Sequence, residues 1–146
     1  MYQERNKLIR TVSVMIIVAT LLTTGVFAAE SRASSYIETD SATISAFGNG
    51  ILEIKFYIKG TGTMTKIGCK SIVVYESTDN SNWTHVASYY DSNYSGLMAQ
   101  NKIKHSGSFY HQGVAGRYYK ATVTVYAGNS SGGSVDYLQT GSVKAK

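Results

Sequence analysis

GRYYKATVTVYAGNSSGG (Gly116–Gly133) decides how the rest of the chain reads. Tyr119, Ala121, Val123 and Val125 fall on one face of this stretch; Tyr118, Lys120, Thr122, Thr124 and Tyr126 fall on the other. A repeat of two is the period of an extended strand, because successive side chains leave a strand on opposite sides. QGVAG (Gln112–Gly116) before it and GNSSGG (Gly128–Gly133) after it supply turn residues, so a strand is predicted over Tyr118–Ala127.

The same period recurs outward from there. Leu52, Ile54, Phe56 and Ile58 alternate with Glu53, Lys55, Tyr57 and Lys59. GNG (Gly48–Gly50) is a hairpin signal between that strand and an earlier one at Tyr36–Phe47, where Ile44 and Ala46 share a face. Further strands are predicted at Ser71–Glu76, Trp83–Tyr90, Ser106–His111 and Val135–Val143. No stretch holds a helical period. About seven short strands with regular turns predict an all-β, antiparallel β-sandwich. Two details favour an immunoglobulin or fibronectin type. Tyr119 stands two residues before the core position Ala121, as a tyrosine corner does, and Trp83 in the VYESTDNSNWTHV hairpin is expected to cover an end of the core.

Residues 1–28 read as a cleaved secretory signal peptide. Arg5, Lys7 and Arg10 precede the apolar run Val14–Leu22, and Val26 and Ala28 suit a cut after Ala28, with Ala29 nearly as good. An uncleaved membrane anchor over Thr11–Ala29 is the alternative. Residues 29–35 form an expected flexible segment and 36–146 the sandwich domain. From Ala29 onward there are 11 Lys/Arg and 8 Asp/Glu, a net charge of about +3 with no basic cluster, which gives nucleic-acid binding little support. The single cysteine, Cys69, excludes an intramolecular disulfide and cannot serve as a lipoprotein cysteine just after the signal. The chain has no proline, so it has no sortase motif. Release outside the cell, without a membrane or covalent anchor, is the expectation.

The motifs ASSY (Ala33–Tyr36), GNG, GTGTMTKIG (Gly60–Gly68), IVVYE (Ile72–Glu76), WTHV (Trp83–Val86), HSG (His105–Gly107) and GRYYKATV (Gly116–Val123) follow one another along nearly the whole mature chain. In this the chain resembles a family of small secreted proteins of clostridial and related Gram-positive bacteria with no assigned function. The resemblance implies export and a single domain. It implies no catalytic residue, and Cys69 stands where that family usually has a small residue such as alanine.

Direct chemical signals are weak. GTGTMTKIGCK (Gly60–Lys70) looks like a phosphate loop, but Cys69 stands in the lysine position and a strand follows, where a Walker loop needs a helix. Its glycines are expected instead to ease a connection between two strands, with Met64 and Ile67 plugging the core end and Cys69 a small, semi-buried residue. Cys69 with His85, His105 or His111 is the remaining nucleophile reading. Asp91–Gly96 mimics the start of a calcium loop, yet the closing glutamate position holds Lys102; a looser site on Asp91 and Asn93 stays open. No cofactor, metal site or enzyme activity is expected. Eleven tyrosines, one tryptophan and three phenylalanines follow Ala29. Tyr75, Tyr118, Lys120 and Tyr126 are expected on one outer face as a flat patch for a glycan or protein partner. Cross-strand pairing that merely stabilises the sheet is the plainer account of those rings. The expected function is therefore a secreted, non-enzymatic binding domain. A self-associating matrix protein is the alternative, and a carbohydrate-binding module, an enzyme or an enzyme inhibitor stand behind it.

Overall fold

A computed structural model describes residues 36–146. Residues 1–28, read above as a signal peptide, and the segment 29–35 lie outside the described residues. The fold is all-β and antiparallel: β1 (Ile37–Ala46), β2 (Ile51–Ser77), β3 (Thr84–Tyr90), β4 (Met98–Gln112), β5 (Tyr118–Asn129), β6 (Gly132–Gln139) and β7 (Val143–Lys144). A 3-10 turn at Ser95–Leu97 joins β3 to β4. The seven strands form one sheet.

The spine of that sheet is β2. At 27 residues it would span about 90 Å if straight, against the ~17–20 Å of an ordinary strand. Its first half, Leu52–Lys59, lies between β1 and β4. Its last part, Ser71–Glu76, lies between β3 and β5. β6 and β7 add to β5. Both halves of β2 bury side chains in one cluster with Tyr119, Ala121, Val123, Val125 and Ala127 of β5. The sheet therefore folds over on its own second strand, and β1 comes to lie near β5 and β6.

Gly60–Lys70 was expected to connect two strands; it is instead the middle of β2. The glycines are still used for a change of direction, but inside a continuous strand. Strands that turn a corner do so at bulges and bends. The register against β4 shifts between Lys59 and Met64, and that against β5 shifts between Cys69 and Ser71. The inward set changes phase with these shifts. It runs Leu52, Ile54, Phe56, Ile58 and Met64, then Ile67 and Cys69, then Ile72 and Val74. At Gly68, φ is +151° and a Cβ would lie 2.3 Å from the Leu97 carbonyl oxygen, so no other residue fits the bend.

The first hairpin follows its turn chemistry. The Ile51 N–H donates to the Gly48 carbonyl at 3.2 Å, and the two central residues Asn49 and Gly50 have φ of 59° and 77°. Positive φ at both centres is what a primed hairpin turn requires. Elsewhere strands run longer than the alternation alone indicated. β4 begins at Met98 rather than Ser106, and the last predicted strand divides into β6 and β7.

Candidate functional site

β5 sets the outer face. With Tyr119, Ala121, Val123 and Val125 fully buried, Tyr118, Lys120, Thr122, Thr124 and Tyr126 point away from the core. Register fixes their neighbours. Tyr118 faces Ser77 on one side and Lys144 on the other; Lys120 faces Tyr75, which faces His85. Thr122 lies between Val73 and Gln139, Thr124 between Ser71 and Tyr137, and Tyr126 between Gly68 and Val135.

The four residues singled out from the sequence share this face but are not one cluster. Tyr75, Lys120 and Tyr118 are immediate neighbours. Tyr126 lies six residues from Lys120 along β5, about 20 Å away, with Thr122 and Thr124 between. Each end is extended by side chains the alternation did not select. The Lys120 ammonium lies 4.5 Å from the centre of the Trp83 ring, and Lys144 lies 5.4 Å from that of Tyr118. At the other end Lys70 lies 5.6 Å from the centre of the Tyr126 ring, and Tyr137 is 71% exposed. Trp83 was expected to cover a core end; it takes no part in the core cluster and lines this outer face instead, because it precedes β3 and Lys120 reaches over it. Lys70 reaches the face because it is the unpaired residue of the bulge in β2.

The charges are segregated. Lys66, Lys70, Lys120 and Lys144 belong to the outer positions of this face, and none forms an ion pair among the described residues. Asp91 borders the face at Lys70, whose carbonyl accepts from the Asp91 N–H at 3.0 Å; the other carboxylates lie elsewhere. Glu38 holds Lys59 at 2.6 Å. Glu53 holds Lys55 at 3.1 Å and accepts from the Tyr110 hydroxyl at 3.1 Å. Asp79 closes the β2–β3 turn by accepting from the Ser81 and Asn82 N–H groups at 2.9 and 2.8 Å, which holds its carboxyl well below the usual range. Asp136 pairs with Val125 on the inward side and faces Asp40, whose carboxyl is pushed up by burial and by that second acid.

A second polar group stands at one end of the molecule. The Val114 N–H donates to the Tyr119 hydroxyl oxygen at 2.8 Å, and that hydroxyl donates to Glu76. Glu76 also binds the Arg117 guanidinium. The Tyr119 hydroxyl, more than any other group, holds the Glu76 carboxyl below its ordinary value. His111 Nδ1 lies 2.7 Å from the Tyr89 hydroxyl, and burial lowers its pKa. The bonds of Tyr119, Glu76 and Arg117 tie the β4–β5 connection to β2, and that of His111 ties β4 to β3.

The nucleophile reading meets a closed environment. Cys69 is fully buried and its thiol donates to the Ser71 carbonyl at 3.3 Å. Burial pushes it up to about 12, so it stays a neutral thiol at pH 7. His85 is bonded with Ser88, His105 with the Gly96 carbonyl and His111 with Tyr89, so none of them serves Cys69. Asp91 and Asn93 sit in the turn after β3; among the described residues no three His, Cys, Asp or Glu side chains gather as for a metal. No family model, curated protein or solved structure matches this chain.

Proposed function

We propose that the chain is an exported, non-enzymatic binding domain of the small secreted Gram-positive family it resembles, using the outer face of β5 and its neighbours to hold an extracellular glycan or protein. The observation that carries this reading is the strip of rings and ammonium groups along β5. Trp83, Tyr75 and Tyr118 stand at one end, Tyr126 and Tyr137 at the other, and lysines lie over three of the rings. Flat aromatics, half-buried at Tyr75, Trp83, Tyr118 and Tyr126 and exposed at Tyr137, offer contact area at little cost in side-chain freedom. The folded-over sheet is read as an immunoglobulin- or fibronectin-like sandwich. The bond from the Val114 N–H to the Tyr119 hydroxyl, five residues downstream, supports that reading because a tyrosine corner ties to upstream backbone in this way.

Binding of the purified protein to a glycan array and to cell-wall material tests the function. Tyr118→Ala with Tyr126→Ala is expected to abolish the signal while leaving the fold intact by circular dichroism; undiminished binding by the double variant refutes the face.

Self-association is the second reading. Among the described residues β6 pairs with β5 alone, and its sequence GGSVDYLQ carries a single charge, Asp136, and no proline to blunt that edge. Light scattering behind size exclusion distinguishes it: a monomer at high concentration removes this reading.

A further inference from the structure

We propose that the ligand of this face is a carboxylated polysaccharide, held as an extended chain along β5. The inference rests on the binding-face reading above and adds the class of ligand to it.

Two observations carry it. The first is charge. Lys70, Lys120 and Lys144 stand over aromatic rings and form no ion pair among the described residues, and Lys66 joins them at the Tyr126 end. On the opposite outer face Glu53 holds Lys55 and Glu38 holds Lys59, so carboxylates stand among the cations there, although Lys104 beside Lys59 has no ion pair among the described residues. A face with several cations and no carboxylate among its described outward positions is complementary to a polyanion. An ammonium parked on a ring face keeps donors turned to solvent, where an incoming carboxylate can take them.

The second observation is the order of groups along the strip. Rings and cations occur at both ends, and Thr122, Thr124 and Gln139 lie between. Hydroxyl and amide groups supply both donors and acceptors, which matches a chain of sugar hydroxyls. A run of stacked bases would instead ask for successive rings along the strand. The span from Tyr118 to Tyr126, about 27 Å, fits a polymer rather than a small molecule. Lysine is a point charge without a fixed fork, so it pairs with carboxylates spaced along a flexible chain without imposing one bidentate geometry.

The test uses the full chain, with polygalacturonate, its methyl ester and an oligo-dT strand as probes in biolayer interferometry at low and moderate salt. Polygalacturonate is expected to bind, and more weakly as salt rises. The neutral methyl ester is expected to bind at least tenfold more weakly. Lys70→Gln with Lys120→Gln is expected to weaken polygalacturonate binding about tenfold, the sum of two exposed charge contacts. The same pair of substitutions is expected to leave binding of the ester unchanged. Equal binding of ester and acid, lost in the Tyr118→Ala, Tyr126→Ala protein, overturns the anionic ligand but keeps the face. Polygalacturonate binding that survives both double variants overturns both; no binding of either galacturonan overturns the carboxylated polysaccharide and leaves the face to the glycan-array test. Tighter binding of oligo-dT than of polygalacturonate overturns the assignment in favour of nucleic acid.

Discussion

Replacing Tyr119 by phenylalanine removes one oxygen from a fully buried ring and leaves the ring's packing in place. That oxygen has two partners: it accepts from the Val114 N–H at 2.8 Å and donates to Glu76. A neutral hydrogen bond contributes about 1 kcal/mol net and one to a charged group about 1.5–3. Glu76 keeps Arg117, and its side chain is 16% exposed, so water can replace part of the loss. The expected cost is therefore about 2–3 kcal/mol. For a domain of this size that lowers Tm by roughly 8–15 °C. Urea unfolding followed by fluorescence reads the change, with the slope unchanged because the surface exposed on unfolding is the same. The pH dependence carries a second signature. Glu76 has a lowered folded pKa, first through the Tyr119 hydroxyl, so its contribution is present above its unfolded value near 4.5 and is lost as pH falls through the folded value. In Tyr119→Phe that acid-side loss should shrink. A cost under about 0.5 kcal/mol, or an unaltered acid limb, would refute the claim that this hydroxyl ties the β4–β5 connection to β2.

Gly68→Ala should cost about 2–4 kcal/mol, since it strains a positive φ and drives a Cβ into the Leu97 carbonyl; wild-type thermal stability would deny the bend at this residue. Asp40 has a raised folded pKa, through burial first and Asp136 second, so stability is lost as pH rises from the ordinary 3.8 through that raised value. Asp136→Asn should consequently raise Tm at pH 7 and not at pH 3, while the burial contribution remains; an equal gain at both pH values contradicts the coupling. Cys69 should react with a thiol reagent only as fast as the protein opens, and labelling within seconds under native conditions would show it accessible.

Strand faces were legible because the sequence period is the pleat period. Tyr119, Ala121, Val123 and Val125 are all buried, as their spacing requires, and so are Ile72 and Val74. The continuity of β2 was not legible. Three glycines in Gly60–Gly68 signal a break locally, and only the pairing of Met64–Gly68 with β4 and of Lys66–Cys69 with β5 keeps the stretch extended. Pairing partners distant in sequence leave no local trace. The outer face was half legible for the same reason. Alternation places Tyr118, Lys120 and Tyr126 outward, but Trp83, Lys70 and Lys144 join them through register and a bulge. The polar group around Tyr119 had one signal, its place two residues before Ala121; its acceptor Glu76 is 43 residues away in the chain.

The central claim is that ligand meets the lysine- and ring-bearing face of β5. A titration of isotope-labelled protein with short oligogalacturonate, followed by amide and indole chemical shifts, tests it directly. The largest shifts are expected on Lys70, Tyr75, Trp83, Tyr118, Lys120 and Tyr126. Shifts concentrated on Ser41, Thr43, Tyr57 and Ser106, on the opposite outer face, would contradict it.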